Sequence, residues 1–159
     1  MPLPDILPVT HQTLPLLQSA LEALSRELGD THRTDAETMG DALFGPSPAC
    51  FAILAQSGAK PAGAALYSPV MSTTMGGTGA YVSDLWVAPG ERGQALGPRL
   101  LANVARHAAP TLQARFLWLI SYNDNFRSLA FYDRLGFRAR NGETRLGLTG
   151  QAFDNLRDS

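Results

Sequence analysis

Tyr81 to Leu101, YVSDLWVAPGERGQALGPRLL, is the stretch of this 159-residue chain whose residue types and order could do chemistry. Val82, Leu85, Trp86 and Val87 are too densely apolar for a strand wetted on one face, so Tyr81 to Val87 reads as a buried strand. Pro89-Gly90 breaks it, a turn through Arg92, Gly93, Gln94, Ala95 and Leu96 follows, and a helix restarts at Gly97-Pro98. A strand feeding free backbone N–H groups and then a helix amino end is a site for an anion such as a pyrophosphate. Glycine in the turn lets a phosphate reach the backbone, because no Cβ blocks the approach. Ala95 stands where a glycine would be easier, so the loop is expected to take a negative φ there or to hold the phosphate slightly displaced. The helix end favours an anion by ~0.3–1 kcal/mol when exposed and up to ~2 kcal/mol when partly buried. Pro98 gives up an N–H that no intrahelical acceptor would use. Arg92 and Arg99 could add charge to the phosphates, the alternative for each being a solvated surface arginine.

The elements that must position this stretch follow from periodicity and breakers. Ile6 to Val9 reads as a first strand. Thr13 is the expected N-cap of a helix reaching Leu28, with Leu14, Leu17, Leu21, Leu24 and Leu28 on one stripe and Gly29 as its stop. Thr34 and Glu37 predict a capping box for a shorter helix to about Leu43. Ala49 to Ala55 and Ala62 to Tyr67 flank Gln56-Ser57-Gly58 as a hairpin. The glycines between Ser72 and Gly79 precede a strand, so they fit a hairpin tip better than a phosphate cradle. The helix from Gly97 is expected to run to about Ala109, burying Leu100, Leu101, Val104 and Ala108, with Pro110 closing it. Arg115 to Ser121 reads as a central strand, and Asn125 to Leu135 as a helix stopped by Gly136. Phe137 to Arg140 and Thr144 to Leu148 are expected to pair around Asn141-Gly142, and the tail from Gln151 to be loose.

That order predicts an α+β fold: a central mixed, mostly antiparallel sheet of about seven strands flanked by about four helices. It is expected to form one domain over 1–150, with 151–159 as a tail. A doubly wound dinucleotide fold is excluded, because the Arg92-to-Gly97 turn lacks G-x-G-x-x-G spacing and no early βαβ repeat accompanies it. A Walker A loop is excluded because no Gly-Lys-Ser/Thr follows the glycines.

Composition narrows the function classes. With 45% hydrophobic and 17% charged residues the chain is ordinary globular material. A net charge of −1 leaves no footprint for nucleic acid or an anionic membrane. Cys50 is the only cysteine, which rules out an intrachain disulfide, and its simplest role is a small buried apolar residue. His11, His32 and His107 are scattered, with no i,i+4 pair, so no metal is expected. No apolar run approaches the ~18 residues of a membrane span, and MPLPDILP lacks a basic leader region. The expectation is a soluble cytoplasmic protein. From Glu22 to Asp41, across two of the predicted helices, Glu22, Glu27, Asp30, Asp35, Glu37 and Asp41 outnumber Arg26 and Arg33. A solvated helix face is the first reading of that run, and an acidic rim drawing in a cationic substrate the second.

VAPGERGQALGPRLL resembles motif A of the GNAT superfamily of N-acetyltransferases, (Q/R)-x-x-G-x-(G/A), with Arg92, Ala95 and Gly97 at its three marked positions. Asn125 to Tyr132 (NFRSLAFY) and Leu135-Gly136-Phe137 are similar to the N-x-x-(A/S)-(I/L)-x-x-Y…LGF words of the same superfamily. The resemblance covers about Ile6 to Leu148. Leu43-Phe44-Gly45, Ser72-Thr73 and the Tyr81-to-Val87 strand make the chain most similar, within it, to diamine (spermidine/spermine-type) N-acetyltransferases.

The resemblance implies transfer of acetyl from acetyl-CoA to a primary amine, a small amine or polyamine, with no metal. The alternatives are acetylation of a protein N-terminus or lysine, and a catalytically silent coenzyme-A-binding sensor. It implies coenzyme contacts by Trp86, Val87, Arg92, Gly93, Gln94, Ala95, Leu96, Gly97, Pro98, Asn125 and Arg127. Asn125 has a compatible second reading as a helix cap. Tyr132 is implied as the acid that protonates the departing thiolate, the alternative being a core tyrosine spaced with Leu129 and Leu135. A backbone N–H near Val87 would polarise the thioester carbonyl. In the diamine enzymes a Glu-Asp pair sits on this strand; here Ser83 takes the Glu position and only Asp84 remains. Ser83 can hold a water but is no base unaided. By strand alternation Asp84 is expected on the opposite face from Ser83, as an ammonium ligand, a base or a structural carboxylate. Trp86 and Trp118 fit core packing first and an acceptor pocket second. Family analogy points to a homodimer.

Overall fold

The structure, a computed structural model, describes residues 3–159. Its five strands are β1 (Asp5–Pro8), β2 (Phe51–Ser57), β3 (Lys60–Ser72), β4 (Gly77–Val87) and β5 (Leu117–Leu119). They form one sheet in chain order, antiparallel from β1 to β4 and parallel between β4 and β5. The helices are α1 (Leu14–Leu28), α2 (Ala36–Phe44), α3 (Leu96–Leu112), α4 (Phe126–Arg134) and α5 (Gly150–Arg157). By their contacts the described residues form two compact units, one ending at Ile120 and one running from Ser121 to Ser159. All five strands and α1 to α3 lie in the first, and α4 and α5 in the second.

The α+β class and the mixed, mostly antiparallel sheet are as expected, but among the described residues the sheet has five strands rather than about seven, and there are five α-helices rather than about four. Phe137 to Arg140 and Thr144 to Leu148 are not strands. The turn between them forms, with Gly142 at φ 86, yet its flanks carry no ladder and Leu146 is 88% exposed. Alternating sequence is not enough to make a strand, because cross-strand pairs supply the stabilisation. The tail expected to be loose carries α5, braced by Gln151–Asn155 and Arg157–Asp154 contacts one turn apart. β5 is shorter than the predicted Arg115-to-Ser121 strand.

Within the first unit, α1 and α2 bury Leu17, Ala20, Leu21, Met39 and Leu43 against Ala52 and Leu54 of β2, Ala64 of β3 and Trp86 of β4. Alternation sends Gly63 to the other face, where a Cβ would stand 2.9 Å from Leu100 Cδ1, 2.9 Å from the Trp86 carbonyl and 3.3 Å from Leu96 Cδ2. The absent side chain at Gly63 therefore seats the amino end of α3 on the sheet. Leu96, Leu100, Leu101, Val104 and Ala108 complete the buried stripe of α3.

Helix ends depart from expectation for local reasons. Asp35, not Thr34, caps α2, its Oδ1 accepting the Thr38 N–H at 2.7 Å, because the helix begins one residue later than expected, at Ala36; the Thr34 carbonyl meets Gln18 and His32 instead. Thr13 does precede α1, but its hydroxyl accepts from the Thr10 N–H at 2.9 Å and caps nothing in the helix. Gly29 closes α1 at φ 76. Pro110 lies inside the last turn of α3, which ends at Leu112 before left-handed Gln113, whose N–H bonds the Ala108 carbonyl.

Candidate active site

β5 pairs with β4 only from Ala80 to Val82, so the outer edge of β4 from Ser83 to Val87 is left unpaired by β5. The β3–β4 register slips in this segment. Leu66 faces Asp84 while Tyr67 faces Val82, which leaves Ser83 as the extra residue of a β-bulge. The Ser83 hydroxyl, exposed, donates to the Leu66 carbonyl at 3.4 Å. Simple alternation therefore does not describe the pair. The bulge gives Asp84 the face of Leu66, Ala64 and Trp86, the side packed by α1 and α2. Cys50 shares that neighbourhood, its thiol pushed up by burial and then by the Asp84 charge. Beyond the bulge Ala88 donates to the Ala62 carbonyl at 2.8 Å, so by alternation the N–H and C=O of Val87 point away from β3.

A single turn of 3₁₀ helix, Pro89–Glu91, then leads into the loop. Gly93 takes φ 80 and Ala95 φ 59, ψ 19. The expected negative φ at Ala95 is corrected: alanine occupies the left-handed region itself, at a cost of roughly 1–2 kcal/mol. A left-handed residue followed by right-handed helix turns consecutive N–H groups inward, the geometry of an anion nest. Ala95 has no side chain to cap α3, no acidic residue lies in its first turn, and Leu96 and Gly97 are buried. Helix donors left uncapped at a partly buried end suit an external acceptor. The loop and the amino end of a 17-residue helix thus fit a pyrophosphate.

The arginines are used otherwise than as loose charge. Arg92 Nε donates to the Val87 carbonyl at 2.9 Å, and its Nη2 pairs with Glu27 of α1. Arg99 Nη2 donates to the Pro4 carbonyl at 2.9 Å, beside β1. Trp86 is 7% exposed within the α1 core, and its indole N–H bonds Glu27 Oε1 at 3.0 Å. Burial pushes the Glu27 carboxyl up, but the Trp86 and Arg92 hydrogen bonds and the Arg92 and Arg26 charges outweigh it and hold it below its ordinary value. Glu27 and Asp35 therefore leave the acidic run for structural duty.

In the second unit Asn125 caps α4, its Oδ1 accepting the Ser128 N–H at 3.2 Å, and Arg127 is exposed on the same helix. Gly136, at φ 94, turns the chain so that the Phe137 ring meets Tyr132 edge-on at 5.6 Å, while Phe131 flanks it at 5.1 Å. The Leu-Gly-Phe word thus fixes the Tyr132 ring, and burial raises its phenol further above the ordinary value.

Two residues escaped the sequence reading. Glu27 hid among other acids. Gly63 carried a usable signal, since a lone glycine inside a strand marks a close approach. The words shared with diamine enzymes have local explanations. A Cβ on Gly45 would meet the Asp41 carbonyl at 2.5 Å, and Ser72 Oγ accepts the Met75 N–H in the β3–β4 turn.

The acetyltransferase (GNAT) family model matches residues 16–137. Among solved structures the chain is similar to an integron cassette protein from the mobile metagenome of V. cholerae, at 22% identity over 98% of each chain with a TM-score of 0.76. It is similar at 15% identity to an aminoglycoside acetyltransferase from an uncultured soil metagenomic sample, over 92% of this chain and 96% of that one, TM-score 0.76. A ribosomal-protein-alanine N-acetyltransferase from Brucella melitensis matches at 16% identity over 91% of this chain and 99% of that one, TM-score 0.71. At these identities the likeness is one of fold. No curated protein matches the chain. Among the described residues no helix is long and apolar enough to cross a membrane.

Proposed function

The chain belongs to the acetyltransferase (GNAT) family of acyltransferases, and from that premise we propose that it moves acetyl from acetyl-CoA to a small primary amine. Acetyl-CoA is the co-substrate of the family; bound here, it would supply an activated thioester. The observation that carries the reading is the uncapped amino end of α3 behind left-handed Gly93 and Ala95, whose backbone N–H groups from Gly93 to Gly97 would hold the pyrophosphate. The outward N–H of Val87, on the edge of β4 that β5 leaves unpaired, polarises the thioester carbonyl. Asp84 holds the acceptor as an ammonium and takes its proton, directly or through a water on Ser83. A base is needed because an amine of pKa ~10.4 is neutral about once in two thousand molecules at pH 7. In the proposed step the nitrogen would bond to the carbonyl carbon as the carbon–sulfur bond breaks; Tyr132, the acid the family resemblance assigns, would give its phenolic proton to the sulfur, and the second proton, shed by the amide nitrogen, would pass through solvent to restore the phenol.

A thiol-release assay over diamines, monoamines, an aminoglycoside and a peptide amino terminus tests this. Turnover on small amines is expected; binding of acetyl-CoA without turnover on any acceptor would favour the silent sensor. Tyr132→Phe should lower kcat by about 10²–10⁴-fold, the range of a general acid. Equal rates for the two would remove Tyr132 from the mechanism. Because burial raises the phenol, the rate should hold through neutral pH and fall only above about pH 10. Asp84→Asn should raise KM for diamines more than for monoamines, and an unchanged KM would reject its role at the acceptor.

A further inference from the structure

Glu27 occupies the last turn of α1, the negative end of the helix, where a carboxylate is out of place. Two donors from the β4 end hold it there. Trp86 Nε1 bonds its Oε1 at 3.0 Å, and Arg92 Nη2 its Oε2. Arg92 passes the connection on, because its Nε takes the Val87 carbonyl at 2.9 Å. One guanidinium thus joins the end of α1, the last residue of β4 and the start of the anion loop.

We infer that Glu27 is a positioning residue for the coenzyme site: through Arg92 it fixes the end of β4 and the entry to the Arg92–Gly97 loop. The inference rests on reading that loop as the pyrophosphate cradle. Three observations carry it. The Glu27 anchor is rigid on one side, since Trp86 is packed into the core and cannot follow a displaced carboxylate. The pair lies at the surface, its side chains 33% and 37% exposed, but each partner is tied to a second group, Glu27 to the Trp86 indole and Arg92 to the Val87 carbonyl. Finally, Glu27 offsets the charge of Arg92 at close range, and the Nε–H of Arg92 is directed onto the Val87 carbonyl. Arg92 therefore serves the coenzyme by geometry, using the fixed fork of a guanidinium that lysine lacks.

The experiment measures acetyl-CoA affinity by calorimetry and initial rates for wild type, Glu27→Gln, Glu27→Ala, Arg92→Lys, Arg92→Ala and the double alanine variant. Glu27→Ala and Arg92→Ala should each weaken acetyl-CoA binding on the order of tenfold, the scale of a displaced positioning group. For Glu27→Ala, kcat at saturation should stay within about twofold of wild type, giving a KM effect rather than a rate effect. The double variant should bind no more weakly than either single one, because the two residues act as one unit. Glu27→Gln, which keeps an oxygen for the indole and guanidinium N–H groups, should recover part of the loss and guards against an alanine variant that fails to fold; Arg92→Lys should recover little. Unchanged affinity in both Glu27 variants, or additive losses in the double variant, would overturn the inference. A wild type that binds no acetyl-CoA would overturn the cradle reading itself, a separate result.

Discussion

Asp35, in front of α2, turns its carboxylate onto the Thr38 N–H at 2.7 Å, whereas Ala95, in front of α3, offers its helix no side-chain acceptor. Both helices begin with the same orphan donors. The short α2 closes one of them internally, the Thr38 N–H on Asp35. The 17-residue α3 keeps them open, accepts a left-handed alanine to aim them, and lies against Gly63 so that its first turn cannot drift. On the proposed reading the finished end of α2 serves stability and the unfinished end of α3, on its rigid seat, serves a ligand. Strain at Ala95 belongs to that second design, since backbone in sparsely populated regions persists where the surroundings dictate it.

Substitutions can exchange the two behaviours. Ala95→Asp gives α3 the acceptor that α2 has, and Asp tolerates the left-handed region better than most residues. A carboxylate in the cradle should cost acetyl-CoA affinity on the order of a hundredfold, read by calorimetry, through lost donors and like-charge repulsion. Gly63→Ala attacks the seat instead. Its Cβ would meet the Trp86 carbonyl, so thermal or denaturant unfolding should show a loss of about 1–3 kcal/mol along with weaker coenzyme binding. Asp35→Ala should cost about 1 kcal/mol of stability and leave acetyl-CoA binding unchanged, because that end holds no ligand. Ala95→Gly, the smallest change, should raise stability by about 0.5–1 kcal/mol, the relief of left-handed strain less the added freedom of the unfolded chain.

How much of this was legible in the sequence depended on whether the cause was local. The α1 stripe from Leu14 to Leu24, the α3 stripe, the Gly29 stop, the hairpin tip and the strand–loop–helix order are set by periodicity and breakers and agree with the structure, whereas Leu28, expected on the α1 stripe, is exposed. The bulge at Ser83 was invisible, because register is a property of two strands, and with it went the reading that alternation alone sets Ser83 and Asp84 on opposite faces. The expected strands after Gly136 failed for the same kind of reason: their alternation is clear, but a strand exists only where a partner pairs with it. Glu27 could not be distinguished among its acidic neighbours, since its meaning lies in Trp86 and Arg92, far along the chain. Of the two expectations at Ala95, the negative φ is not the one the chain adopts, for alanine takes positive φ only where the fold requires it.

The central claim is that the open amino end of α3 takes the pyrophosphate of acetyl-CoA. Amide resonances of the ¹⁵N-labelled protein followed during titration with acetyl-CoA test it most directly. The expected result is large shifts and slowed hydrogen exchange at Ala95, Leu96 and Gly97, with the Thr38 amide at the closed end of α2 unmoved. Saturable binding that perturbs other amides and leaves those of Ala95, Leu96 and Gly97 in place would contradict it.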